Sequence, residues 1–213
     1  MRARAGAFSF FVAPPQERPD GRLPVLHMLR WPCGAVGKTK GFTREWKGGN
    51  MLIVNETVYI ETSVVSYLTS RPSRDLVVAA HQQITREWWD QQLPGLVPYV
   101  SDVVIDEASR GDAGASAQRM AAIMGLPRLV INADVEKLAV RYCEGLRLPS
   151  TVINDALHMA LAAWHGIDYL VSWNCSHIAN AHVFKTLVTI NEQLGISTPV
   201  LCTPVELERS EYE

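Results

Sequence analysis

"NDALHMALAAWHGIDYLVSWN", Asn154 to Asn174, holds an Ala-rich apolar helix, a glycine stop and a short apolar run. The pattern predicts a helix over 152–165 with Gly166 as its C′ residue, then a strand over 168–172. Helix, tight turn and non-alternating strand are the units of a parallel sheet buried on both faces. Two features do not fit plain burial. Asp155 puts a carboxylate in the first helical turn, and Trp173-Asn174 closes the stretch where the apolar run ends.

The same alternation extends outward from this stretch. "TVYIETSVVSYL" (57–68) opens with a branched and aromatic strand over 58–60, and Thr62 and Ser63 offer N-caps for a helix through Leu68. "SRPSRD" (70–75) is a loop, and a longer helix over 75–93 stops at Pro94-Gly95. A strand over 97–101, a helix over 102–109, a break at Gly111 and a helix over 113–124 follow. Next come a strand over 127–132 and a helix over 134–145. Beyond the opening stretch lie a helix over 183–194, ended by Gly195, and a last short strand in "TPVLCTP". Strands alternating with helices predict an α/β fold of three layers, α/β/α, with a short parallel sheet flanked by helices. In such sheets the working crevice lies beyond the carboxyl ends of the strands.

Composition narrows the function. Of 213 residues 47% are apolar and 20% charged, a globular balance, and the net charge of −2 argues against a basic nucleic-acid wrapper. It leaves room for a nucleic-acid substrate, because a metal ion can supply positive charge. Cys33, Cys143, Cys175 and Cys202 are scattered, which speaks against a zinc knuckle or disulfide framework and suits a reducing cytoplasm. The longest apolar stretches fall short of the ~20 residues of a membrane span.

The first fifty residues differ. Pro14, Pro15, Pro19, Pro24 and Pro32 interrupt any period, so 1–50 is expected to be an irregular extension and 51–213 the patterned domain. "MRARAGAFSFFVAPP" is a poor leader, since Pro14-Pro15 stands where small residues are wanted for cleavage. "CGAVGKTKGF" (33–42) resembles a phosphate loop, but Pro32 replaces the required glycine and no helix pattern follows Thr39. "KGGNM" (47–51) can be encoded with a ribosome-binding sequence ahead of Met51, which makes Met51 a candidate natural start and the extension a start-site artefact.

Against this frame four polar residues attract suspicion. Glu61 follows the first strand, Glu107 lies in the helix after the second, Asp155 opens the Ala-rich helix, and Asn174 follows the "YLVS" strand. Each also has a structural reading. Asp155 suits the helix dipole, Glu107 suits a solvated helix face, and Glu61 suits the cap of the next helix. Converging carboxylates without cationic partners repel one another and prefer a hard divalent ion, Mg²⁺ or Mn²⁺, held by oxygens. Such an ion activates water and neutralises a phosphate, which points to phosphodiester hydrolysis.

"YIETSVVSYL", "VVIDEASRGD", the opening stretch and "CSHIANA" together resemble the sequence blocks of PIN-domain ribonucleases, above all VapC-type toxins of bacterial toxin–antitoxin pairs. The likeness runs from about Met51 to Pro204. The resemblance implies a PIN-like fold and a Mg²⁺- or Mn²⁺-dependent endoribonuclease with metal ligands at Glu61, Glu107 and Asp155. It also implies a small antitoxin partner and a homodimer. Where the pattern has a further Asp this chain has Asn174, which can orient water but cannot act as a general base. That leaves open a weak or inactive PIN-like module that binds RNA or a partner. Ser63 is read either as a partner of a ligand or phosphate or as a helix cap. Arg71, Arg74 and His177 are read either as substrate contacts or as ordinary surface and structural residues. In "EWWDQQL", Trp88 and Trp89 point about 100° apart, so one ring is a candidate for an interface.

Overall fold

A computed structural model describes residues 42–47 and 50–207. The leader-like stretch, and the phosphate-loop-like run apart from Phe42, lie outside the described residues. Strands β1 (Phe42–Lys47) and β2 (Asn50–Asn55) pair antiparallel, Phe42 opposite Asn55 and Lys47 opposite Asn50. Strand β1 thus falls within the stretch whose composition shows no period, because its order comes from pairing rather than from an apolar pattern.

The main sheet has five parallel strands in the order β5-β4-β3-β6-β7. They are β3 (Thr57–Ile60), β4 (Val97–Ser101), β5 (Arg128–Leu129), β6 (Tyr169–Val171) and β7 (Val200–Cys202). Val58, Tyr59 and Ile60 are all fully buried, as are Leu170 and Val171, so the central strands bury both faces. Their apolar runs lack alternation for this reason. The two central strands are clasped at their starts. Thr57 donates both its amide and its hydroxyl to Asp168 Oδ2 (2.8 Å each), and the Asp168 amide returns a bond to Thr57 (2.9 Å).

Helices α1 (Thr62–Thr69), α2 (Leu76–Gln91), α3 (Asp102–Ala108) and α4 (Ala113–Ile123) pack with one another. Helices α5 (Ala133–Leu146), α6 (Ile153–Trp164) and α7 (Ala181–Leu194) form a second group centred on α5. The expected architecture, a short parallel sheet flanked by helices, is the one observed. Helix α6 is buried almost all round, from Ala156 through Ala163, and its alanines allow close approach to its neighbours. Gly166 ends it with φ 67°, a conformation glycine adopts freely.

Most boundaries shift by one or two residues, and two of the differences have a clear cause. The fifth strand shrinks to Arg128–Leu129 because the Asn132 side chain accepts from the Asp134 and Val135 amides (3.0 and 2.9 Å) and starts α5. Helix α5 runs past Gly145 and turns on Arg147, a non-glycine residue at φ 54°. Gly145 serves packing instead: a Cβ there would come 2.6 Å from the Ile190 side chain of α7. Among the described residues no helix is long and apolar enough to cross a membrane.

Candidate metal centre

Strand order reverses around β3, with β4 on one side and β6 on the other. The crevice outside such a reversal is where open parallel sheets place their ligands. Glu61 follows β3 and Ser172 follows β6, so two neighbouring strand ends bring polar side chains into contact.

Glu61 is buried, with 6% exposure. It occupies the N-cap position of α1, yet its side chain makes no capping bond. Its Oε2 instead accepts from the hydroxyls of Ser63 and Ser172, the latter at 2.7 Å. Ser63 accepts the Trp173 amide (2.8 Å), which ties the loop after β6 to the start of α1. Ser63 is thus a partner of Glu61 and not a helix cap. Glu61 Oε1 has no hydrogen-bond partner among the described residues.

Glu107 approaches from α3 and is held on both oxygens. Its Oε2 accepts from Thr62 (2.5 Å) and faces His158 Nε2 (3.2 Å), while Oε1 accepts from Asn154 Nδ2 (2.7 Å). Burial raises the carboxyl's affinity for its proton. The His158 hydrogen bond, the charge that ring carries when protonated, and the bonds from Thr62 and Asn154 outweigh this and lower the pKa to about 2. Among the described residues no lysine or arginine pairs with Glu61 or Glu107. Ligand atoms of Glu61, Glu107 and His158 lie within 4.8 Å of one another. Two carboxylates with no lysine or arginine partner, one of them with an open oxygen, form a donor set that fits a divalent cation.

Asp155 does not close this group. Its Oδ2 accepts from His177 Nδ1 (2.9 Å), and it lies on α6 beside Asn154. A hydrogen-bonded path still joins it to Glu61. The His177 amide donates to Asn174 Oδ1 (3.1 Å), the Asn174 amide donates to Ser172 Oγ (2.9 Å), and Ser172 donates to Glu61. Asn174 therefore shapes the turn after β6 with its side-chain oxygen. The three expected ligands are not drawn together within 4.8 Å; His158 joins Glu61 and Glu107 in that group, while Asp155 bonds His177.

Arg71 and Arg74 are exposed in the loop after α1. Buried Gln82 fixes that loop, donating to Ser70 Oγ (2.6 Å) and the Arg71 carbonyl (2.9 Å) and accepting the Ser73 amide (2.9 Å). Neither arginine pairs with a carboxylate among the described residues.

Reading by sequence missed Thr62, Asn154, His158 and Ser172. Asn154 and His158 stand one turn apart on α6, a spacing that was visible, but their shared target Glu107 lies on another element. Trp173 resolves as an anchor: its ring stacks on His81 (centroids 4.0 Å, 18°), and its Nε1 donates to Thr85 (2.8 Å). Trp88 is buried at 2% exposure and Trp89 packs partly buried against the core, so neither presents the exposed ring expected of an interface.

No family model matches the chain, and no curated protein matches it. Among solved structures, the Mycobacterium tuberculosis toxin VapC20, described as cleaving the sarcin–ricin loop, is similar at 18% identity. The match covers 57% of this chain and 92% of that one, with a TM-score of 0.44.

Proposed function

We propose that this chain is a Mg²⁺- or Mn²⁺-dependent endoribonuclease whose catalytic unit spans residues 51–213. The observation that carries the reading is the convergence of Glu61 and Glu107 at the reversal point of a parallel sheet, with no lysine or arginine paired to either among the described residues. A divalent ion bound there supplies activation of water and neutralisation of phosphate charge. Glu61 and Glu107 bind the ion, and Asp155 completes the acidic rim. Ser63 and Ser172 fix the Glu61 carboxylate; Thr62 and Asn154 fix that of Glu107. Carboxylates held this way lose little freedom when they bind. Asn174 holds the turn that carries His177 and helps to orient water, and His177, Arg71 and Arg74 offer donors for the RNA backbone.

The sequence blocks quoted above support placing the protein among toxins of toxin–antitoxin pairs. Its partners are then an RNA substrate, a small antitoxin and a second copy of the chain, in the cytoplasm. A second reading, a PIN-like module that binds RNA or a partner without cutting, is favoured by one observation. Asn174, where the pattern has an acid, spends its side-chain oxygen on the His177 amide. Titration of Mn²⁺ together with a cleavage assay on single-stranded RNA separates the two. The nuclease binds the ion and yields fragments; RNA binding with intact RNA supports the module, and absence of ion binding removes the nuclease.

A further inference from the structure

Behind the acidic crevice runs a buried polar chain that the proposed chemistry leaves unused. Ser101, Tyr59 and His158 are at most 1% exposed. Ser101 Oγ lies 2.6 Å from the Tyr59 hydroxyl, Tyr59 lies 2.7 Å from His158 Nδ1, and His158 Nε2 lies 3.2 Å from Glu107 Oε2. The chain thus crosses from β4 to β3 to α6 and ends on a carboxylate of the crevice.

The direction of these bonds can be worked out. Ser101 Oγ accepts the Val104 amide (3.4 Å) as the cap of α3, and its own proton faces the Tyr59 oxygen. Tyr59 therefore accepts from Ser101 and passes its proton to His158 Nδ1. The imidazole then carries its proton on Nε2, where Glu107 accepts it. In the opposite direction the Ser101 proton is left without an acceptor at a fully buried position. With a neutral ring, that direction also sets an Nε2 lone pair against a carboxylate oxygen. A buried, unsatisfied donor costs more than a bond gains. Only the first arrangement satisfies every member.

We infer that His158 is a positioning residue, locked by Ser101 and Tyr59 as a donor to Glu107, and not a ligand of the metal. The inference rests on the nuclease reading and assigns His158 to the support of Glu107 although its nitrogen lies near both carboxylates. Carboxylate ligands commonly depend on such outer partners, and losing one weakens metal binding by about 10–100-fold.

The test is long-range ¹H–¹⁵N NMR of the full chain labelled at histidine, with His158→Gln to assign the signal. At neutral pH the His158 ring is expected as the Nε2–H tautomer, and that Nε2–H should persist when Mg²⁺ is added to saturation. A ring protonated on Nδ1 alone, or loss of the Nε2 proton on adding Mg²⁺, overturns the inference. A Mg²⁺ titration supplies the second arm. His158→Gln, which keeps an N–H donor, should bind within a few-fold of the parent, and His158→Leu about 10–100-fold more weakly. If His158→Leu binds as tightly as the parent, the positioning role fails while the nuclease reading stands. If the parent binds no Mg²⁺, both fail.

Discussion

Asn154 donates to Glu107 at 2.7 Å, whereas the next residue, Asp155, turns to His177 at 2.9 Å. Adjacent residues at the start of α6 thus hold different partners: one steadies a carboxylate, the other is a carboxylate held by a histidine. The first turn of a helix otherwise built for burial carries both.

Acid should reveal how firmly Glu107 is held. Its folded pKa of about 2 lies below the ordinary 4.5, so its ionised form stabilises the fold fully above pH 4.5. That contribution is lost as the pH falls through about 2. Denaturant unfolding in EDTA should show the stability gap between the parent and Glu107→Gln shrinking by on the order of 2–3 kcal/mol between neutral pH and the acid end. A gap that is constant with pH contradicts the assigned hydrogen bonds.

Ser172 is fully buried and bonds Glu61 Oε2 at 2.7 Å. Ser172→Ala removes that donor and the acceptor of the Asn174 amide, so Mn²⁺ affinity should fall by about 10-fold or more. Calorimetric titration measures it; unchanged affinity means the crevice does not need a fixed Glu61.

Asn174→Asp restores an acid without changing side-chain size, and its oxygen still accepts the His177 amide. The fold should be unaffected, with a melting temperature within a few degrees, while Mn²⁺ binding tightens several-fold. Weaker or equal binding would place residue 174 outside the reach of the ion.

Arg147 turns the end of α5 in a left-handed conformation at φ 54°. Glycine avoids the Cβ conflict there, so Arg147→Gly should raise stability by about 0.5–1 kcal/mol in urea unfolding. A loss of stability of that size would show that the Arg147 side chain contributes more than its backbone costs.

Much of this architecture was legible because burial leaves a local signature. The strand over 97–101 and the helix that follows it stand where the apolar run put them. Glu61 and Glu107 stood out because each follows a strand whose carboxyl end borders the crevice of a parallel sheet. What escaped reading depends on contacts between distant segments. His158 looks like one more buried residue of α6 until Tyr59 and Glu107 are seen on either side of it. Strand β1 carries no apolar period, and only its partner β2 reveals it. Gly145 closes the expected helix over 134–145, and only the structure shows that a Cβ there would meet the Ile190 side chain.

The most direct measurement is cleavage of an end-labelled single-stranded RNA by the full chain, with Mg²⁺ or Mn²⁺ and with EDTA, run beside Glu61→Gln and Asp155→Asn. The account predicts fragments that require the ion and vanish in both variants, each of which keeps the circular-dichroism spectrum of the parent. Cleavage that survives EDTA, or that Glu61→Gln performs undiminished, contradicts it.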